Sequence, residues 1–205
     1  MDEEQNETAA KFEQAEIYIC LLAGINRQSM EMLMEIVSEK QRQGFKKFVI
    51  LIHSQGGDIQ SAVTGYNFLT GFRDLEIVTW NIGAVESSAV ALYCAGNIRL
   101  ITPYAYFFLH DVFRKTNNRV VVKEKEFMML YNDLLNERKQ YAAILKKATG
   151  WSIEQVERAM KKVTPLTAEE AVVCGLAHDV FEKFIDFGNE VIFIKEEPRE
   201  GKKDE

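Results

Sequence analysis

Apolar and polar positions along the first hundred residues follow two alternating rhythms. Residues 17–24 (IYICLLAG) form a short apolar run closed by glycine, which predicts a buried strand. Met30, Leu33, Met34 and Val37 then recur at helical spacing, and Gly44 ends that helix. Residues 48–53 (FVILIH) predict a second buried strand. After the break Ser54-Gln55-Gly56-Gly57, the positions Ile59, Ala62, Val63, Tyr66 and Leu69 mark another amphipathic helix. A strand over 75–82, a loop at Gly83, a helix from near Ser87 and a strand over 98–101 follow. Strand and helix in regular alternation predict an α/β fold.

The second half changes rhythm. A strand over 104–109 leads to His110, and a polar stretch covers 114–119. A long helix is expected over 123–147, with Phe127, Leu130, Tyr131 and Leu134 on one face. Ser152 with Gln155, and Thr167 with Glu170, are capping boxes that each start a helix, and Gly175 stops the last one. The pattern divides the chain into an acidic N-terminal arm (1–15), one domain (16–182) and a C-terminal extension with a charged tail (183–205). The arm has little to bury and is expected to be mobile or a short helix.

Composition narrows the function classes. Of the 205 residues, 47% are hydrophobic, enough for a sizeable core, and the net charge of −6 argues against nucleic acid or an anionic membrane as partner. Cys20, Cys94 and Cys174 are scattered in apolar surroundings without a CxxC or a His cluster, so they are expected in the core of a protein from a reducing compartment. No signal-peptide pattern or bilayer-length apolar run stands out, which predicts a soluble, cytoplasmic protein. No metal or organic cofactor is implied, and the chain has no Walker-type phosphate loop.

Three segments carry possible chemistry. Gly56-Gly57 closes a buried strand, where a backbone N–H can face a ligand. Gly83-Ala84-Val85-Glu86-Ser87-Ser88-Ala89 is a strand-to-helix turn that holds a hydroxyl beside free helix N–H groups. His110, at the end of an apolar strand, can serve as a general base. Each has a commoner explanation: a plain turn, an N-cap serine, a structural histidine. Together, in this chain order, they are specific.

These segments resemble the Clp protease proteolytic subunit (ClpP) family. ILIHSQGGDI is similar to the family's strand ending in Gly-Gly, Gly83–Ala89 to its nucleophile turn, and YFFLHD to its histidine strand. TGWSIEQVERAMKKVTPLTAEEAVVCGLAHDV follows the family's C-terminal region without a gap, and the resemblance covers about residues 16–182. It implies a ClpP/crotonase-type spiral of β-β-α units with a protruding handle helix. It further implies Ser87 as nucleophile, His110 as base, and the N–H groups of Gly57 and Ser88 as oxyanion hole. The partners it implies are unfolded polypeptide as substrate, further copies of the chain in one heptameric ring or two stacked rings, and an AAA+ unfoldase.

One position departs from the pattern. Val163 stands where the family has the triad Asp, and loss of that carboxylate costs about four orders of magnitude in well-studied serine proteases. Among substitutes, Asp111 adjoins His110 on an extended segment and should point to the opposite face. Thr164 offers a neutral hydroxyl, and Asp58 lies nearer the oxyanion end. Glu86, just before the nucleophile, would oppose a developing oxyanion if it pointed inward. Three functions therefore stay open: a serine peptidase, a catalytically impaired structural subunit of a mixed ring, and a crotonase-type acyl-CoA enzyme using Glu86. His53, His178, Trp80, Trp151 and the stripe Met30, Met32, Met34 are expected to be structural.

Overall fold

The computed structural model describes residues 16–113, 123–182 and 190–196. The arm at 1–15, the polar stretch at 114–119 and residues 197–205 of the tail lie outside the described residues.

The chain begins with three strand–helix repeats: β1 (Glu16–Leu22), α1 (Arg27–Arg42), β2 (Lys47–Ser54), α2 (Ile59–Gly71), β3 (Glu76–Glu86) and α3 (Ser88–Tyr93). Two short strands follow, β4 (Ile98–Ile101) and β5 (Tyr106–Leu109), then the 26-residue helix α4 (Glu124–Thr149). Helix α5 (Ile153–Lys162), β6 (Thr164–Leu166), α6 (Ala168–Val173), β7 (Asp179–Val180) and β8 (Glu190–Lys195) complete the described fold. Both expected capping boxes are present, Ser152 with Gln155 and Thr167 with Glu170. Gly175, at φ 76°, stands just past the last helix.

The strands form one sheet in the order β6-β5-β3-β2-β1-β8, with β4 and β7 branching from β3. All pairings are parallel except β5 with β6. Parallel strands covered on both faces have near-continuous apolar sequence, as 17–22 and 48–52 do. Within β1, Ile17, Ile19 and Leu21 enter the main core, while Tyr18 and Cys20 join a smaller cluster with Val49, Leu51, Val78 and Trp80. All three cysteines are free, and burial pushes the Cys94 thiol up to about 12. Among the described residues no helix is long and apolar enough to cross a membrane.

Two elements differ from the sequence expectation. Instead of looping at Gly83, β3 runs on to Glu86. A register shift between Ile52 and Ser54 of β2 lets the strand bend, leave β4 after Asn81 and pair with β5 from Ala84. Gly83 is needed at the bend, where a Cβ would lie 2.8 Å from Nδ1 of His53. The second element is β8, part of the expected C-terminal extension, which pairs in parallel with β1 from Ile17 to Leu22. Its Ile194 is fully buried in the main core.

Ile194→Ala should therefore lower stability by about 2–5 kcal/mol, the range for truncating a buried aliphatic side chain. Denaturant unfolding checks this; a change within about 0.5 kcal/mol, as at ordinary surface positions, would show that β8 is not part of the cooperative unit.

Candidate active site

The bend in β3 delivers Ser87 to the end of the sheet with an unusual backbone. Ser87 sits at φ 54°, ψ −129°, a conformation costly for a side chain with a Cβ. Two contacts hold it there. Its N–H donates to the Phe108 carbonyl on β5 at 2.9 Å, and its carbonyl accepts from the Tyr141 hydroxyl on α4 at 2.9 Å. Burial pushes the Tyr141 phenol well up, so it stays protonated and donates. Although Ser87 stands at the N-cap position of α3, its hydroxyl makes no capping hydrogen bond. The commonest structural role for such a serine is thus unfilled.

Gly56 and Gly57 approach this turn closely. A Cβ at Gly56 would lie 2.7 Å from Cβ of Ser87, and both glycines have positive φ, 83° and 148°. Ile25 brackets them, its N–H donating to Gly56 O and its carbonyl accepting from Asp58 N–H. That bracketing leaves the intervening Gly57 N–H without a backbone partner among the described residues. Ser88 opens α3, so its N–H has no helical acceptor either. Gly57, Ser87, Ser88, His110, Glu137 and Tyr141 all line one cavity of about 510 Å³.

His110 follows β5 directly, and β5 is tied to Ser87 through Phe108. Among the described residues no hydrogen bond joins the Ser87 hydroxyl to His110. The His110 Nδ1 instead lies 2.6 Å from the main-chain oxygen of Asp111. The antiparallel ladder ends with Leu109 paired to Thr164, and His110 and Val163 are the next residues beyond that pair. Val163 caps α5 at φ 57°, ψ 76°, a left-handed conformation that disfavours a β-branched residue. The Thr164 hydroxyl donates to the Ala159 carbonyl, and Asp58 accepts from Ser61 at the start of α2. Each is thereby engaged away from His110.

The Asp111 carboxylate does not bond the imidazole. Its Oδ1 accepts from the Val112 N–H at 2.9 Å and lies 3.1 Å from Nε of Arg138 on α4. Nothing in the sequence pattern marks Arg138, which sits inside the long helix, 27 positions after Asp111 in the chain. Glu86 turns away from the cavity lining, its Oε1 accepting from the Tyr106 hydroxyl at 2.7 Å. His53 and His178 each accept a backbone N–H at Nδ1, from Ala84 and Arg99. No group of three or more His, Cys, Asp or Glu among the described residues is arranged to hold a metal ion.

Three kinds of comparison relate the chain to known proteins. A family model described as Clp protease matches residues 2–184. The chain is 27% identical to an ATP-dependent Clp protease proteolytic subunit 1 from Thermobifida fusca, over 66% of this chain and 60% of that one. It is 26% identical to a proteolytic subunit 4 from Rhodococcus jostii, over 75% and 76%. A solved structure of a mutant ClpP1 from Listeria monocytogenes superposes with a TM-score of 0.72, covering 88% of this chain and 96% of that one at 18% identity. That likeness shows the α/β fold to be of ClpP type. Because the matched segment spans nearly the whole length of the chain, the protein belongs to the Clp protease family.

Proposed function

We propose that the chain is a serine peptidase subunit that hydrolyses unfolded polypeptide inside a ring chamber, with Ser87 as nucleophile and His110 as base. The observation that carries this reading is Ser87 itself. It is held in a costly backbone conformation, its hydroxyl is excused from capping, and it opens on the cavity that His110 lines.

The chemistry runs as acyl transfer. Ser87 Oγ attacks the peptide carbonyl while its proton passes to Nε2 of His110. The oxyanion accepts from the N–H groups of Gly57 and Ser88, neither of which has a backbone partner among the described residues. His110 then protonates the leaving amine, and a water activated by the same imidazole releases the acyl group. The chain is compatible with apo geometry, in which Ser–His hydrogen bonds are often long and tighten only with substrate. Glu86, turned from the cavity toward Tyr106, neither opposes the oxyanion nor supplies a crotonase-type carboxylate.

An exposed apolar surface on α4 supports the ring part of the reading. The first half of α4 exposes Phe127 at 60%, Met129 at 59% and Tyr131 at 48%, an apolar stretch suited to a second copy of the chain. The resemblance makes that copy part of an opposed ring. The ATP-dependence in the relatives' names would belong to an unfoldase partner. A catalytically impaired subunit of a mixed ring is the second reading, favoured by Val163 and by the missing Ser87–His110 hydrogen bond.

A fluorophosphonate probe should add one adduct to the intact mass, absent in Ser87→Ala. No adduct on protein shown to be assembled would turn the assignment to the impaired subunit. Val163→Asp should speed labelling at least about tenfold, since a direct triad carboxylate is worth up to about 10⁴. Asp also suits the left-handed backbone better than Val. An unchanged rate would mean that position 163 does not serve His110. Finally, Phe127→Glu combined with Tyr131→Glu should roughly halve the assembled mass in sedimentation, as burying two charges in an apolar contact is unfavourable. An unchanged mass would exclude α4 from ring pairing.

A further inference from the structure

A neutral histidine that takes a proton at Nε2 must hold its own proton on Nδ1, and something must accept it there. Val163 cannot. Among the described residues, the acceptor that meets Nδ1 is the Asp111 main-chain oxygen at 2.6 Å. A carbonyl only accepts, so this contact places the proton on Nδ1.

That carbonyl belongs to the peptide group joining Asp111 to Val112. The N–H of the same peptide group donates to the Asp111 carboxylate, Oδ1, at 2.9 Å. The carboxylate forms an ion pair with Arg138, whose Nε lies 3.1 Å away without making a hydrogen bond among the described residues, and Arg138 Nη2 lies 3.9 Å from Glu157 on α5. One rigid amide plane thus has a carboxylate on its N–H and an imidazole N–H on its oxygen. A carboxylate accepting from an amide N–H draws charge toward the amide oxygen and makes it a stronger acceptor, because linked hydrogen bonds polarise one another.

We propose that Asp111 takes the place of the missing triad carboxylate, acting on His110 through the Asp111–Val112 peptide group, with Arg138 as the positioning residue that fixes the carboxylate. The proposal rests on the peptidase reading for its catalytic meaning. No direct contact between the two side chains is required, and adjacent residues of an extended segment would not provide one. Charge delivered through an amide is weaker than charge in contact, so the relay supplies part of what a triad Asp would. Its loss should slow labelling of Ser87 about 10- to 100-fold, the scale seen when supporting partners around a site are removed. That is well below the ~10⁴ of a contacting carboxylate.

The test combines the tautomer of His110 with the reactivity of Ser87. The chain has three histidines, so solid-state ¹⁵N spectra of histidine-labelled full-length protein at pH 8 can be assigned with His110→Gln as reference. His110 should show a protonated Nδ1. In Asp111→Ala it should become a mixture of tautomers, and Arg138→Met should fall between. Asp111→Asn keeps an oxygen for the Val112 N–H, so it should preserve the tautomer yet still slow labelling. Adding Val163→Asp to Asp111→Ala should restore both signals, which a merely structural role for Asp111 would not allow. An unchanged tautomer in Asp111→Ala, or lost labelling that Val163→Asp does not restore, overturns the relay. Absent labelling of the wild type would instead sink the peptidase reading, and the Asp111→Ala spectrum would still decide whether the relay exists.

Discussion

The hydrogen bond from the Ser87 N–H to the Phe108 carbonyl is the constraint on which the site depends. It fastens the turn after β3 to the strand that leads directly into His110, so the two candidate reactive residues are placed by one backbone contact. Its geometry is possible only because β3 bends at Gly83 and changes neighbour from β4 to β5. The Tyr141 hydroxyl closes the arrangement from α4. A left-handed, non-glycine residue costs about 1–3 kcal/mol. Two hydrogen bonds, each worth about 0.5–1.5 kcal/mol net, are of the size needed to hold it. What the strain secures is a hydroxyl that faces the cavity instead of capping its own helix.

The same economy of backbone contacts shapes the opposite wall. Gly56 and Gly57 run so close to Ser87 and Ile25 that no side chain fits at either position. Because Ile25 bonds the residues on either side of the Gly57 N–H, that N–H remains for a ligand. This free donor is thereby a by-product of how the β2–α2 turn packs against the β1–α1 turn. In the proposed oxyanion role it would need no polar side chain.

Much of this was legible in the sequence, for identifiable reasons. Buried parallel strands leave continuous apolar runs, and capping boxes mark helix starts directly, so β1, β2, α5 and α6 lay close to expectation. Ser87, His110, Gly57 and Ser88 converge on one cavity, as the spacing of three short segments suggested. The continuation of β3 past Gly83 was hidden because glycine signals a loop as readily as a bend, and only pairing with β5 decides between them. β8 was hidden because a six-residue strand set between polar stretches gains its stability from an edge 173 residues away in the chain, where Ile17 pairs with Glu190 and Leu22 with Lys195.

Asp111 shows a deeper limit. The argument from alternation was sound for side chains, since residues next to one another on an extended segment do point apart. It did not count the peptide group between them and the next residue as a chemical participant. A carboxylate can act on a neighbouring ring through its own main chain when the amide N–H turns back onto the carboxylate and the amide oxygen turns toward the ring. Such a link leaves no spacing signature beyond two adjacent residues, and the cation that fixes it, Arg138, comes from a distant helix. On the peptidase reading, valine at position 163 therefore removes the direct carboxylate from His110 without removing every route by which a negative charge can orient it.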